Sequence, residues 1–351
     1  MKHILLLTTG GTIASANNGR GLAPALRGET IVTQLEVGYP DFRFTYEDLL
    51  DLDSSNIQPE EWRLIARRVH LALDDCDGVI ITHGTDTLAY TAAALSFMLQ
   101  NLSKSVVLTG SQLPIQSPLT DGVINLYTAV EAISHGIPGV SVAFNRKIIA
   151  GTRAVKVSTM GFDAFESVNA DYLGQIFADG TRVFLPPQEC CDPGSPALLQ
   201  DEISTDVFVL KLLPGTKPEI FDMLAEMGYR GIVLEAFGAG GLHYINRDLL
   251  SRLSMLSERG ITVVVCSQCL YERCDLSIYD VGNRILEHGV IPGRDMTTEA
   301  AATKLMWALG QSSQADEIRR MFDTRYAGEV SLPAPSNGDE AAQKPDCFFR
   351  H

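Results

Sequence analysis

The chain has 351 residues, enough for about two domains, and its 45% hydrophobic and 20% charged content is typical of a globular protein. Its formal net charge of −15 repels nucleic acid and anionic membranes, so we expect neither as a partner. Its seven cysteines, an odd number at irregular spacing, argue against a disulfide framework and indicate reduced thiols.

The first residues do not have the pattern of a secretory signal. Such a signal needs an apolar stretch of roughly 7–15 residues, whereas Ile4–Leu7 is followed directly by polar residues. No segment of the sequence reaches the roughly 18 apolar residues of a membrane-spanning helix. We therefore expect a cytoplasmic protein.

Short β-rich runs alternate with helical patterns through the first half of the chain. The predicted strands are His3–Thr8, Phe42–Tyr46, Gly78–Thr82, Ser105–Thr109 and Gly139–Phe144. The predicted helices between them are Pro59–Ala72, Asp86–Leu99 and Asp121–His135. This alternation predicts a doubly wound, mainly parallel sheet.

A proline-rich run interrupts the alternation at residues 186–206, and we interpret it as a domain linker. The alternation then resumes with strands Val207–Leu212, Gly231–Ala236 and Thr262–Cys266 and helices Lys217–Met227, Arg247–Glu258 and Thr298–Leu309. The sequence therefore predicts an α/β protein with a larger N-terminal domain at residues 1–185 and a smaller C-terminal α/β domain at 207–330. The polar residues 331–351 are expected to form a disordered tail.

Two threonine motifs follow predicted strands. Thr9–Ala14 follows the first strand, and His83–Thr87 follows Gly78–Thr82. Parallel sheets place ligand sites at the carboxyl ends of their strands. If these strands are neighbours, the hydroxyls of Thr12 and Thr85 converge with the carboxylate of Asp86. This arrangement favours nucleophilic amide chemistry, in which a threonine needs a base or a strongly polarised setting.

Each of these features also has a simpler interpretation. The glycines before Thr12 could form a turn or a phosphate cradle, although the dinucleotide fingerprint and a P-loop lysine are absent from the motif. Asp86 could bind a substrate ammonium group or cap the helix that follows it. Asp53–Asn56 could bind a carboxylate or serve as a capping loop. Lys156 could orient or deprotonate a hydroxyl, but a single lysine is usually a solvated surface group.

Several motifs occur together in one order along the chain. They are Thr9–Ala14, Asp53–Asn56, His83–Thr87, Thr109–Gln112, and the stretch from Arg153 through Lys156 to Phe162–Ser167. In this combination, which extends over roughly residues 1–330, the chain resembles the bacterial type I (cytoplasmic) L-asparaginases of the asparaginase/glutaminase family.

The resemblance implies a hydrolase that converts L-asparagine to L-aspartate and ammonia through an acyl-enzyme on Thr12. It implies a second triad in which Lys156 poises Thr85 and Asp86 binds the substrate α-amino group, with backbone amides near Gly11 and Thr85 as oxyanion donors. The substrate-binding residues that it implies are Gly11, Asp53, Ser54, Ser55, Gly84, Thr85, Asp86 and Ser111. It implies no metal or organic cofactor, and a homodimer or a tetramer built from dimers.

The sequence departs from the family pattern at several positions. Leu22 stands where many members carry a lid tyrosine, within a lid loop expected at residues 14–27. Tyr279 resembles a tyrosine that some type I enzymes present from a neighbouring subunit, so we hypothesise that it completes the site in trans; it could also be a packing residue. Val155 and Glu235 replace the Thr and Arg of allosteric members, so we expect a hyperbolic velocity curve.

Two other functions are open at this stage. One is the related amidotransferase subunit that processes glutamine for transfer-RNA-dependent synthesis; it carries an additional N-terminal domain, for which we expect no room before a motif that begins at residue 9. The other is a non-enzymatic amino-acid-binding module on the same scaffold. A pure sensor would not need both threonine hydroxyls, and ligand stabilisation without ammonia release would identify it.

Overall fold

The computed structural model of the chain describes residues 1–17, 22–24, 28–184 and 195–331. Parts of three segments predicted from the sequence lie outside these residues. They are 18–21 and 25–27 of the expected lid loop, 186–194 of the expected linker, and 332–351 of the expected tail.

The N-terminal part of the chain forms a large sheet with helices on both faces. Its strands and the small hairpins attached to it are β1 (His3–Gly10), β2 (Ser15–Asn17), β3 (Leu22–Pro24), β4 (Arg43–Leu52), β5 (Gly78–Thr82), β6 (Leu99–Gln100), β7 (Ser105–Thr109), β8 (Gly139–Phe144), β9 (Lys147–Ala150), β10 (Ala154–Lys156), β11 (Phe165–Ser167), β12 (Gly174–Phe177) and β13 (Gly180–Val183). The helices are α1 (Gly28–Gly38), α2 (Pro59–Ala72), α3 (Leu88–Met98) and α4 (Gly122–Ser134).

The order of strands in the large sheet is β13-β12-β9-β8-β7-β5-β1-β4. The pairs from β4 to β8 are parallel, and those from β8 to β13 are antiparallel. In particular, β1 and β5 are direct neighbours, with Thr8 opposite Thr82. The loops that follow these two strands therefore begin side by side at one edge of the sheet.

Both faces of the central strands are buried, as expected for parallel strands covered by helices. On one face, residues such as Leu5 and Val79 pack with α2 and α3. On the other face, residues such as Ile4 and Ile80 pack with α1 and α4. This alternation along each strand fixes which side chains face which helices.

The C-terminal part is a smaller parallel sheet of order β15-β16-β17-β18. Its elements are β14 (Leu198–Leu199), β15 (Val207–Lys211), α5 (Glu219–Glu226), β16 (Gly231–Ala236), α6 (Leu250–Glu258), β17 (Thr262–Ser267), α7 (Asp280–Glu287), β18 (Ile291–Pro292), α8 (Thr298–Gln311) and α9 (Ala315–Asp323). Helix α8 packs against α3, where the rings of Phe97 and Trp307 stack with centroids 6.2 Å apart.

The predicted fold class is confirmed: a large, mainly parallel α/β sheet domain is followed by a smaller α/β domain. The described part of the expected linker contains a short strand, β14, which pairs with β6.

No helix in the described residues is long and apolar enough to cross a membrane. The described cysteines, Cys76, Cys266, Cys269 and Cys274, are free thiols.

Candidate active site

Two glycines turn the chain sharply at the end of β1. Gly10 and Gly11 have φ angles of +101° and +81°, a region that side chains disfavour. A Cβ atom on Gly10 would lie 2.4 Å from the carbonyl oxygen of Leu52, and one on Gly11 would lie 2.5 Å from the amide nitrogen of Gly84. The chain then enters a 3-10 turn that begins at Thr12, whose side chain is half-buried. The two threonine motifs are thus in backbone contact.

Lys156 connects the second threonine motif to the hairpin β10–β11. Its Nζ donates to Thr85 Oγ1 at 2.8 Å and to Asp86 Oδ1 at 2.6 Å. The Thr85 side chain is buried, whereas 66% of the Asp86 side chain is exposed. Across the hairpin Lys156 pairs with Phe165, which is buried against Phe144. The hairpin is therefore anchored in the core, and the structure brings together Thr85, Asp86 and Lys156.

The proton of the Thr85 hydroxyl has its own acceptor. Because Lys156 donates to Thr85 Oγ1, the hydroxyl hydrogen is left to Gln112 Oε1, which lies 3.5 Å away. Gln112 also donates to the carbonyls of Thr159 and Gly161, in the loop that follows Lys156. Gln112 was not predicted as a site residue, although it lies in the motif Thr109–Gln112.

Ser111, which was predicted to bind substrate, is buried, and its hydroxyl donates to the carbonyl of Leu113 at 2.5 Å. The backbone amide of the next residue, Gln112, donates to the carboxylate of Asp121. Asp121 also accepts from the side chain of Asn125, which in turn donates to the carbonyl of Gly110. This network holds the loop after β7 in place and turns Gln112 towards Thr85.

The loop Asp53–Asn56 lies against the second threonine motif. Ser54 Oγ accepts from the amide of Asp86 at 3.3 Å, and the hydroxyl of Thr87 donates to the carbonyl of Ser54 at 2.6 Å. A Cβ atom on Gly84 would lie 2.6 Å from Ser54 Oγ, so only glycine fits there. Among the predicted binding residues, Ser54 is therefore in contact with both Gly84 and Asp86.

Asp53 and Ser55 form the exposed side of this loop. Asp53 Oδ1 accepts from the hydroxyl of Ser55 at 2.6 Å and from its amide at 2.8 Å. These two hydrogen bonds lower the pKa of the Asp53 carboxyl from its usual value, because they favour the charged form. The loop thus presents a fixed carboxylate and a serine hydroxyl to solvent.

The backbone amides at the centre of the site differ in their partners. The amide of Gly11 donates to the carbonyl of Leu52 at 3.2 Å, so it does not point into the crevice as an oxyanion donor. Within the described residues, no acceptor lies within hydrogen-bonding distance of the Thr85 amide. Of the two expected oxyanion donors, Thr85 is the one with an available N–H group.

Tyr279 lies just before α7 of the smaller domain. Its side chain is 61% exposed, and none of its described hydrogen bonds reaches Thr12, Thr85 or Lys156. A different tyrosine of this domain, Tyr271, donates to Glu166, which pairs with Val155 next to Lys156. Within one chain, no described hydrogen bond joins Tyr279 to the other predicted catalytic residues.

Val155 and Glu235 were assigned to the position of an allosteric site. Val155 is 8% exposed in the hairpin β10–β11. Glu235 Oε1 accepts from the hydroxyl of Thr298 at 2.6 Å, and the Glu235 carboxylate lies 3.9 Å from the ammonium group of Lys211.

Comparisons with known proteins match both parts of the chain. Residues 3–189 match the family model "Asparaginase, N-terminal", and residues 206–322 match "Glutaminase/Asparaginase C-terminal domain". The chain is 45% identical over 329 residues to an L-asparaginase of Thermococcus kodakarensis, which covers 93% of this chain and 99% of that protein. The solved structure of the thermostable L-asparaginase from Thermococcus kodakarensis superimposes with a TM-score of 0.88 at 44% identity, covering 94% of this chain and 100% of that one.

Two further relatives carry different names. The chain is 35% identical to L-asparaginase 1 of Escherichia coli K12, with 94% of this chain and 98% of that protein covered. It is also 35% identical to a glutamyl-tRNA(Gln) amidotransferase subunit of Pyrococcus abyssi, with 94% of this chain but 77% of that protein covered.

Proposed function

Because the chain belongs to the asparaginase/glutaminase family, we propose that it is an amidohydrolase that converts L-asparagine to L-aspartate and ammonia. The observation that carries the proposal is the contact of Lys156 with both Thr85 and Asp86, on a loop packed against Gly11, which precedes Thr12. The names of the relatives that the chain spans almost completely support the same activity. We assign no bacterial origin, since the 45% identical relative comes from an archaeon.

Thr12 is the nucleophile in this proposal. Its Oγ attacks the side-chain amide carbon of asparagine, the hydroxyl proton passes to the leaving nitrogen, and the carbon–nitrogen bond breaks to release ammonia. The aspartyl ester on Thr12 is then attacked by water, which yields aspartate and the free hydroxyl. The half-buried position of Thr12 at the end of β1 supports this role. The mechanism uses no metal or organic cofactor.

Thr85 and Lys156 act on the water and on the developing charge. The ammonium group of Lys156 holds Thr85 Oγ1, so this oxygen keeps a fixed position in the crevice. The Thr85 amide stabilises the negative oxygen that forms when the amide carbon becomes tetrahedral, and one such donor contributes about 3–4 kcal/mol. Thr85 thereby acts through both its side chain and its backbone.

The remaining polar groups bind the amino-acid end of the substrate. Asp86 binds the α-amino group with the carboxylate oxygen that Lys156 does not occupy. Ser54 and Ser55 bind the α-carboxylate and α-amino ends, with Asp53 and the backbone of Gly11 and Gly84 lining the same pocket. Ser111 belongs to the wall of this pocket, since its hydroxyl is engaged by Leu113.

Tyr279 is proposed to act from a second copy of the chain in a homodimer or a dimer of dimers. Its exposed side chain on the smaller domain supports such a role. The variant Tyr279→Phe tests it, because loss of the phenolic hydroxyl should lower the rate or the affinity. Unchanged values of both would show that Tyr279 is a packing residue.

We propose a cytoplasmic location. The free thiols of the described cysteines support it, because reduced cysteines are typical of that compartment.

The decisive experiment measures ammonia and aspartate released by the purified protein over a titration of L-asparagine, with L-glutamine in parallel. We expect release that disappears in Thr12→Ala and persists in Thr33→Ala, which changes an exposed helical threonine. Turnover of glutamine alone would favour the amidotransferase-like function, and stabilisation by asparagine without turnover would favour a binding module.

The same titration tests allosteric activation by asparagine. Since Val155 and Glu235 replace the residues of allosteric members, we expect a hyperbolic dependence of velocity on asparagine concentration; a sigmoidal dependence would contradict this.

A further inference from the structure

His83 opens the second threonine motif but has no role in the mechanism above. Its side chain is fully buried behind the site, where it contacts Thr91 of α3. Thr91 in turn contacts Trp62 of α2. All three side chains are buried. A polar chain of this kind, placed directly behind catalytic residues, calls for a physical explanation.

The direction of each hydrogen bond in this chain can be deduced. His83 Nδ1 lies 2.7 Å from the carbonyl oxygen of Gly84, which can only accept, so Nδ1 carries a proton. Burial lowers the pKa of His83 to about 4, so the ring is neutral and its Nε2 must accept. The hydroxyl of Thr91, 2.9 Å away, therefore donates to Nε2, and it accepts from Trp62 Nε1 at 2.9 Å.

The consequence reaches the peptide that joins Gly84 to Thr85. A trans peptide is planar, so its C=O and N–H groups point in opposite directions. Because the Gly84 carbonyl is held towards the buried ring of His83, the Thr85 amide points away from the interior, on the side of the crevice. Glycine lacks the side chain that would otherwise restrict this peptide, so an external contact has to hold it.

We propose that His83 is a positioning residue, and that the chain Trp62–Thr91–His83 fixes the Gly84–Thr85 peptide with its N–H group directed at the substrate amide oxygen. The inference rests on the proposed amidohydrolase function. It assigns no contact between His83 and substrate, so its removal should slow the chemical step without weakening the binding of asparagine.

Two variants of His83 separate this role from a general packing role. His83→Leu removes both ring nitrogens, whereas His83→Asn keeps an N–H donor near the position of Nδ1. We expect kcat with L-asparagine to fall about 5- to 20-fold in His83→Leu and to return to within about twofold of wild type in His83→Asn, with KM changed by less than about twofold in both. Equal kcat in wild type and His83→Leu would overturn the proposal, and so would a His83→Asn variant as slow as His83→Leu.

A second pair of variants controls for the loss of a buried hydroxyl. Thr91→Val removes the donor to His83 Nε2, while Thr128→Val removes a buried hydroxyl of α4 whose one hydrogen bond within the described residues goes to the carbonyl of Ile124. We expect kcat to fall in Thr91→Val and to stay at the wild-type value in Thr128→Val. Equal kcat in these two variants would contradict the proposed role of the chain Trp62–Thr91–His83.

The tautomer itself can be observed independently of activity. In wild-type protein with ¹⁵N-labelled histidine, we expect His83 to be protonated at Nδ1 and not at Nε2, with the signal assigned by its loss in His83→Asn. A proton on Nε2 would overturn the proposal even if the variants failed to fold. Absence of ammonia release by the wild type would count against the proposed function. The tautomer would still show whether His83 donates to the carbonyl of Gly84 through Nδ1 and accepts from Thr91 through Nε2.

Discussion

Gly11 and Gly84 lie so close together that a Cβ atom on Gly11 would be 2.5 Å from the amide nitrogen of Gly84 and 2.6 Å from its Cα atom. The two glycines follow neighbouring parallel strands, β1 and β5. Their contact joins the loop of Thr12 to the loop of Thr85 and Asp86. The proposed nucleophile and the proposed triad therefore share one crevice because two backbones touch without side chains between them.

Gly11→Ala should strongly reduce ammonia release. The new methyl group would collide with the backbone of Gly84, and the residue would also be held at a φ of +81°. We expect kcat/KM to fall by about 100-fold or more, since a displacement of about 1 Å in an active site can have that effect.

Gly228→Ala is the matched control, because Gly228 has a similar φ of +86° and open space around it. It should cost about 1 kcal/mol of stability and leave kcat/KM unchanged. If both variants kept full activity, contact between the two loops would be unnecessary for turnover.

Lys156→Met should lower kcat strongly while barely changing stability. The variant keeps most of the side-chain volume but removes the donor to Thr85 and Asp86. We expect a loss of about 100-fold or more in kcat, which is the usual size of a lost proton-transfer or positioning group. The ion pair itself contributes little to stability, less than about 1 kcal/mol, because the Asp86 side chain is largely exposed.

Lys147→Met gives the comparison for this prediction. Lys147 also pairs with an aspartate, Asp163, at 2.8 Å in the same domain. Its replacement should leave kcat at the wild-type value. Similar losses in both variants would mean that the effect of Lys156 comes from general electrostatics and not from its contact with Thr85.

The sequence was sufficient for most of the parallel strands, because buried parallel strands read as short apolar runs between helical patterns. The short antiparallel strands β9 to β13 were not predicted. The sequence placed β5, β7 and β8 at the observed bounds. It located only the start of β4 (Arg43–Leu52). This strand lies at the edge of the sheet, and its residues alternate between exposed and more buried positions, so it lacks a continuous apolar run. Helix α1 was not predicted at all, since it begins and ends with glycine.

The site was predictable where it depends on strand ends and not where it depends on side-chain direction. Thr85 and Asp86 follow β5, and Lys156, which the family resemblance indicated, donates to both. In the loop after β7, however, the sequence pointed to Ser111, whereas the adjacent Gln112 is the residue that reaches Thr85. Neighbouring residues of an irregular loop differ in direction by an amount that only the tertiary hydrogen bonds determine.

Thr87→Val should raise KM for L-asparagine with little change in kcat. The hydroxyl of Thr87 holds the carbonyl of Ser54, and Ser54 in turn accepts from the amide of Asp86. These bonds fasten together the groups proposed to bind the two ends of the amino acid. Because such binding is the same in the ground and transition states, we expect KM to rise about 5- to 10-fold and kcat to change less than about twofold.

Thr87→Ser, which keeps the hydroxyl, should restore the wild-type KM. The hydroxyl of Thr87 makes no capping bond to α3, so its loss should cost little helix stability. Thr297→Val is the opposite case, because Thr297 caps α8 through the amide of Ala300. It should lower stability by about 1 kcal/mol and leave KM unchanged. A raised KM in both variants would attribute the effect to loosened helices.

The stability of the fold should decrease in acid partly because of His83. Burial lowers its pKa from 6.5 to about 4 in the folded protein, so between these values the unfolded chain binds the additional proton. The free energy of unfolding therefore falls as the pH falls from 6.5 towards 4, and His83 alone accounts for about 3 kcal/mol over that range. Its contribution is fully present above pH 6.5. Denaturant unfolding of wild type and His83→Asn at pH 7 and pH 4.5 measures it.

The variant removes this titration, so wild type should lose about 2–3 kcal/mol more than His83→Asn between the two pH values. Equal pH dependence in wild type and His83→Asn would mean that the folded protein does not resist protonation of His83. The same measurement thus tests whether burial keeps the His83 ring neutral as the pH falls.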